Sequence, residues 1–333
     1  MKISATMVIC ILQLFATGAV WAQADMPALQ DCVEMQGHST AEQALACFNR
    51  VAQQQKEASP ALFKAKHDNS LAAEWTPSDE LISVYKQNYF LVYSHSSHPN
   101  NTPGSPNPQS QVPYTYSLDN KEMKFQLSIK GHMLGENRHT LWFGYTQLSF
   151  WQIYDSAHST PFRESDYEPE LIYSYRPADK VVWPGLRSSF VNTALVHQSN
   201  GQTQPRSRGW NRLYIQVGLE RELGDGDRIA LIPRLWRRIG AGAAADDDNP
   251  DILTYYGRGD LEARYYHGQD VYLSIARIHS LQFDYATPMP KLFGVQIRNT
   301  NFHVQLFDGY GESLIDYNQR HATIGFGISM PFE

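Results

Sequence analysis

The stretch Asn211-Arg212-Leu213-Tyr214-Ile215-Gln216-Val217-Gly218-Leu219-Glu220-Arg221-Glu222-Leu223 decides the fold. After Asn211 the odd positions are Leu213, Ile215, Val217 and Leu219; Arg212, Tyr214, Gln216, Gly218 and Glu220 fill the even ones. Strand side chains alternate between faces, so this segment reads as a strand with one apolar and one polar face. Residues 255–266 repeat the pattern: Tyr256, Arg258, Asp260, Glu262 and Arg264 alternate with Gly257, Gly259, Leu261, Ala263 and Tyr265. A barrel in lipid suits it, with apolar residues outside and charges paired within. A soluble sandwich would show the same period with the reverse exposure.

Outward from this stretch, about twelve strand candidates follow Leu81, near 83–93, 122–130, 140–152, 170–176, 188–198, 211–223, 228–238, 255–266, 271–278, 281–287, 301–308 and 322–332. The links after even-numbered candidates are compact, as in Gly224–Asp227 and His267–Asp270. Most links after odd-numbered ones are longer and more polar, as in Ser94–Asn120, Ala157–Tyr167, Asn200–Gly209, Gly240–Asp251 and Gly309–Arg320. Short periplasmic turns and long outer loops produce such parity. The link at His279–Ser280 breaks it by being very short. The expected fold is therefore all-β, a transmembrane antiparallel β-barrel of about twelve strands in the bacterial outer membrane.

Composition agrees. With 28 basic and 34 acidic residues the net charge is −6, which argues against nucleic acid as a partner. Mean hydropathy is −0.44, and no apolar run past the N-terminus is long enough for a membrane helix. Barrel strands would escape that test, and 19 Tyr and 7 Trp, many near strand ends, favour a membrane setting. Lys2, the apolar Met7–Phe15 and Val20-Trp21-Ala22 predict a signal peptide over 1–22. In an oxidising compartment the remaining pair Cys32 and Cys47 would form a disulfide. Helix formers from Ala41 to Gln55 behind Ser39–Thr40 make 23–78 a short helical, disulfide-tied periplasmic segment, leaving 79–333 for the barrel.

Three polar residues are the candidates for chemistry. His197 and Ser199 are two apart on one strand, so they share a face. Asn211 opens the next strand with the parity of Leu213, and Val191 and Leu195 share the parity of His197, so all three point outward. A serine held by a histidine, itself held by an amide, would be an activated nucleophile. Ordinary polarity at a strand end is the alternative, and these residues alone leave both open.

The runs His197-Gln198-Ser199-Asn200-Gly201 and Ser207-Arg208-Gly209-Trp210-Asn211-Arg212-Leu213-Tyr214 resemble the outer-membrane phospholipase A family. So do Tyr145-Thr146-Gln147, Pro161-Phe162-Arg163-Glu164 with Tyr167-Glu168-Pro169, Asp247-Asp248-Asn249-Pro250-Asp251, and Gly309 through Asn318. The resemblance implies calcium-dependent hydrolysis of acyl esters of membrane phospholipids, of A1 or A2 type and with lysophospholipase activity, by a homodimer. It makes Ser199 the nucleophile, His197 the general base, Asn211 its orienter and the Gly201 N–H an oxyanion donor. It implies calcium ligands at Ser159 (from the second subunit), Gln202 (backbone carbonyl), Ser207 and Asp248, and an interface role for Gln147. Gln202 stands where the family often has arginine and Gln204 where it often has aspartate; the chain also ends Phe332-Glu333 rather than in an aromatic residue. A non-enzymatic channel or adhesin, and a soluble secreted esterase, are the rival expectations.

Overall fold

The computed structural model describes residues 70–331 except 112–113, 115–116, 179, 184, 241–246 and 291–298. The expected signal peptide, the Cys32–Cys47 pair, the helix behind Ser39, most of the Gly/Ala loop after Gly240 and the Phe332–Glu333 end lie outside the described residues.

The strands are β1 (Ser83–Val84), β2 (Tyr89–Ser96), β3 (Lys121–Glu136), β4 (His139–Trp151), β5 (Phe162–Tyr175), β6 (Lys180–Trp183), β7 (Leu186–Ser199), β8 (Gly209–Gly224), β9 (Asp227–Ile239), β10 (Gly259–His267), β11 (Asp270–Arg277), β12 (Ser280–Pro288), β13 (Asn301–Gly309) and β14 (His321–Ser329). All pairings are antiparallel and twelve strands close the barrel: β14 pairs with β2, and β3 pairs with both β2 and β4. The short β1 and β6 lie beside β3 and β7.

Alternation sorts the two faces. On β14, His321, Thr323 and Ser329 are buried, while Ile324, Phe326 and Ile328 are exposed to the outside. Leu195, Leu213, Ile215 and Leu235 are likewise exposed. The inward face is charged and paired: Lys86 with Glu168 and Glu170 (2.5 and 2.7 Å), Arg234 with Asp260 (2.6 Å), Lys124 with Glu312 (2.8 Å). Burying a charge is costly unless it is paired, so the lumen is stable only as a complete network. At the short-turn end Tyr265, Tyr272 and Tyr285 stack side by side across β10–β12, centroids 5.8 and 5.0 Å apart, as an interfacial aromatic belt would. The β8–β9 turn is tight because Asp225 and Gly226 both take positive φ (52° and 84°), as a two-residue hairpin requires.

Several boundaries differ from the sequence expectation. The candidate strand 83–93 is broken between β1 and β2, where Lys86 turns into the lumen toward its two glutamates and Asn88 bonds the Ser128 backbone. β5 begins at Phe162, so part of the expected Ala157–Tyr167 loop is strand. Tyr255 and Tyr256 belong to a helical turn, α1 (Ile252–Tyr256), rather than to the strand expected from 255. Gly257 ends that turn at φ 71° and β10 starts two residues later. The very short link at His279 also has a reason: the neighbouring loop covers it. The His279 carbonyl accepts from Tyr310 N–H (3.2 Å), and Arg277 donates to the Gly311 carbonyl (3.1 Å).

Both ends of the lumen are filled. Residues 70–78, expected in the N-terminal segment, instead enter the barrel at the short-turn end. Leu71 and Trp75 are buried there; Trp75 meets Trp142 and Tyr85 edge-on, and Glu74 pairs with Arg264 (2.7 Å). At the other end the loop 310–320 folds inward and buries Glu312, Leu314, Ile315, Asp316 and Tyr317. Leu314 N–H bonds Asp166, and Asp316 pairs with Arg163 (2.5 Å). Between them a polar cavity of about 200 Å³ is lined by Trp75, Lys86, Glu168, Arg212 and Glu312 among others.

Candidate active site

The antiparallel register of β7 and β8 sets His197 directly opposite Asn211, and Ser199 opposite Gly209. His197 Nδ1 lies 2.7 Å from Asn211 Oδ1, and His197 Nε2 lies 3.0 Å from Ser199 Oγ. The amide oxygen only accepts, so Nδ1 carries the proton and Nε2 is left to accept from the serine hydroxyl. All three project outward, beyond the exposed Leu195 and Leu213 of the same strands. Gly209 has a local reason: a Cβ there would come within 3.2 Å of Ser199 Cβ, crowding the nucleophile.

The lumen side locks this pair of strands. Gln198 Oε1 accepts from Trp210 Nε1 and Arg212 Nη1, both at 2.9 Å, and the Arg212 guanidinium lies 4.4 Å from the Trp210 ring centroid. Above the triad, Asn200 ties the loop 200–208: its Oδ1 accepts from Arg208 N–H (2.9 Å) and its Nδ2 donates to the Arg206 carbonyl (2.8 Å). Gly201 follows at φ 64°, a conformation other residues enter only with strain, with Tyr167 packed against it.

Two of the expected calcium ligands are together. Ser207 Oγ donates to Asp248 Oδ2 at 2.5 Å, and Gln204 Nε2 donates to Asp248 Oδ1. The loop bearing Asp248 is held by buried neighbours: Asn249 Oδ1 accepts from Gly209 N–H (2.9 Å), and Asp247 accepts from Arg238 (2.6 Å) and from Asn249 N–H (3.1 Å). Gln202 lies exposed on the 200–208 loop, its N–H bonded to Asn200 Oδ1 (3.3 Å). Ser159 caps a short turn at φ 62° on the loop between β4 and β5, and a single chain does not bring it to Asp248 by any hydrogen bond among the described residues. The donors that do converge are hard oxygens, which suit calcium. Among the described residues no cluster of three or more His, Cys, Asp or Glu could hold a metal, so Asp248 is the one acidic member of this set.

Gln147 points outward from β4, on the face of the exposed Phe143. It accepts from Tyr145 OH (3.3 Å) and donates to Ser149 Oγ (3.1 Å), which bonds Ser165 Oγ on β5 (2.9 Å). A polar ladder thus lies on a surface otherwise turned to lipid. Sequence reasoning missed the supporting residues Asn200, Asp247, Asn249 and Gln198. Their types and loop positions were visible, but only the folded loops reveal whose backbone they satisfy. Loop burial also shifts acidity: Tyr114 is pushed up to about 12, and Tyr317 is raised by burial and by its hydrogen bond to Asp251.

The phospholipase A1 family model matches residues 68–330. A putative phospholipase A1 of Neisseria meningitidis is 38% identical over 264 residues, spanning 74% of this chain and 65% of the relative's length. The phospholipase A1 of Escherichia coli K12 is 32% identical over 252 residues, 74% of this chain and 80% of the relative. Among solved structures, the outer membrane phospholipase A of E. coli superposes with TM-score 0.63 at 29% identity, covering 75% of this chain and 98% of that one. The Salmonella typhi outer membrane phospholipase dimer with bound calcium gives TM-score 0.65 at 28% identity, covering 79% and 97%. Sequence match, barrel topology and the outward-facing polar trio agree: this chain belongs to the phospholipase A1 family of outer-membrane β-barrel enzymes.

Proposed function

We propose that the protein hydrolyses acyl esters of membrane phospholipids by serine acyl transfer, as a calcium-dependent homodimer. The observation that carries this reading is the continuous hydrogen-bond line Ser199–His197–Asn211 on the lipid-facing surface. Ser199 Oγ attacks the ester carbonyl while His197 Nε2 takes its proton. Asn211 holds the tautomer and ring orientation, and gives the imidazolium less stabilisation than a carboxylate would. The Gly201 N–H would donate to the oxyanion, a contribution of a few kcal/mol. His197 then returns the proton to the departing lysophospholipid oxygen, and water repeats the sequence on the acyl-enzyme. Lysophospholipid is proposed as a further substrate of the same site.

Asp248, Ser207 and the Gln202 carbonyl would hold calcium, with Ser159 supplied by the second subunit. Bound there, the ion would add positive charge beside the oxyanion. The calcium and dimer named for the S. typhi structure support this reading. Dimerisation is supported by the half-exposed Tyr145 and Gln147, which carry a hydrogen-bonded ladder onto a face otherwise turned to lipid, where a partner surface would cover them.

The test is phospholipid hydrolysis by the native and Ser199→Ala proteins with calcium and with chelator. Activity that needs both Ser199 and calcium is expected. Full activity of Ser199→Ala would remove Ser199 as the nucleophile, and a folded native barrel with no hydrolysis under either condition would instead favour a channel or adhesin.

A further inference from the structure

The loop joining β2 to β3 carries the run Ser105-Pro106-Asn107-Pro108-Gln109-Ser110, which neither the triad nor the proposed calcium ligands use. Prolines on both sides of Asn107 fix their own φ angles and stiffen the segment. Asn107 Oδ1 accepts from Gln109 N–H (3.0 Å) and starts a short 3-10 turn, Pro108–Ser110. Ser105, Asn107 and Ser110 are all buried, although serine and asparagine are mostly exposed residues. Buried polar groups need partners, and those of this turn lie on two other loops.

One foot of the turn rests beside Asp248 and the other beside Ser207. Asn107 Nδ2 donates to the carbonyl of Asp247, the residue before Asp248 (3.1 Å). The Ser110 carbonyl accepts from Nη2 of Arg208, the residue after Ser207 (2.9 Å), and Arg208 Nη1 donates to the Ser207 carbonyl itself (2.8 Å). The same loop meets 200–208 twice more. Ser110 Oγ donates to Gln204 Oε1 (3.3 Å), and the Arg206 guanidinium lies 4.7 Å from the Tyr114 ring centroid. Its base is anchored as well: Asn318 Nδ2 donates to the Gly104 carbonyl (3.0 Å), and Asn100 Nδ2 to Asp316 Oδ1 (3.0 Å).

Ser207 and Asp248 lie on different loops, one after β7 and one after β9, so strand pairing does not by itself set their spacing. A cation that draws oxygens from two loops must otherwise order both as it binds, which costs affinity. A stiff turn bonded next to each ligand removes that cost beforehand. We propose that turn 107–110 is a strut that positions the calcium site, with Asn107 as its positioning residue; the inference rests on Ser207 and Asp248 being calcium ligands. The strut sets calcium affinity and leaves the chemical step alone. The triad stands on β7 and β8, whose pairing is held from the lumen by Gln198.

The test uses the full chain in detergent micelles, each barrel's fold confirmed by heat-modifiable migration. Calcium binding is measured by titration calorimetry, and phospholipid hydrolysis over a calcium series, for the native protein, Asn107→Ala, Asn107→Ser and Asp248→Asn. Serine still caps the turn but is too short to reach the Asp247 carbonyl, so Asn107→Ser separates the strut from the turn. We expect both Asn107 variants to raise the calcium Kd and the calcium needed for half-maximal hydrolysis about tenfold, with kcat at saturating calcium within about twofold of native. Native affinity in Asn107→Ser overturns the strut, as does a fall in kcat at saturating calcium with Kd unchanged. Hydrogen exchange of peptides covering 200–209 and 247–251, in chelator, needs no metal. Faster exchange in Asn107→Ser supports the strut even if Asp248→Asn binds calcium normally and the ligand reading fails; unchanged exchange overturns the strut alone.

Discussion

Ser199, His197 and Asn211 share a face because strand side chains repeat every two residues, and they touch because β7 and β8 pair His197 with Asn211. Parity was readable from residue numbers; contact was not, because a one-residue slip in register would separate them. In the proposed mechanism the 2.7 Å bond from His197 Nδ1 to Asn211 orients the ring without taking part in bond making. His197→Ala should therefore cost about 10³-fold or more in kcat, and Asn211→Ala about tenfold to a hundredfold, since a misoriented imidazole still acts part of the time. Steady-state hydrolysis by folded variants checks this, and equal losses would mean that Asn211 does more than orient. Gly209→Ala places a methyl 3.2 Å from Ser199 Cβ and should lower kcat with the barrel intact, seen as normal heat-modifiable migration.

Loops carry the second level of organisation. The segment 247–251 sets Asp248 beside Ser207 because Asn249 accepts from the Gly209 N–H and Asp247 is held by Arg238. Asp248→Asn should raise the calcium concentration for half-maximal activity at least tenfold, because neutral hydroxyl and carbonyl oxygens bind the ion weakly. An unchanged calcium titration would remove Asp248 from the site. Asn249→Ala should raise the same requirement by less, by releasing the loop rather than removing a ligand. Alternation made the strands legible, but α1 and the break at Lys86 were not, since each answers to a distant partner.

Across the whole molecule, the two inserted segments make the barrel a filled body. Removing the Trp75 side chain empties a site packed by Trp142, Tyr85 and Phe190, and Trp75→Ala should cost about 3–5 kcal/mol. The denaturant midpoint of the refolded barrel measures this. Glu312 sits at the other end. Burial alone would raise its pKa, but Lys124 and His321 outweigh it and hold the carboxyl well below the usual range. A depressed folded pKa stabilises the fold above the unfolded value of about 4.3, and the contribution is lost as the pH falls toward the folded value. Glu312→Gln should therefore lower stability at neutral pH and flatten the loss of stability in acid; identical acid curves would exclude that coupling. If the protein assembles as the proposed dimer with a shared calcium site, Gln147→Ala should weaken its calcium-dependent crosslinking, since binding of metal and of partner would then strengthen each other equally.

By itself the amino-acid sequence determined most of the strands, which faces are wet and which three polar residues share a lipid-facing surface. A period of two is local, and a lipid-facing serine and histidine stand out against it. Tertiary structure alone decided that residues 70–78 enter the lumen, that loop 310–320 closes it, and that Asn200 and Asn249 hold the site's loops. Those outcomes depend on charges and backbone groups far apart in the chain, such as Glu74 with Arg264 and Leu314 with Asp166. Such groups become partners only when closure of the barrel removes them from water.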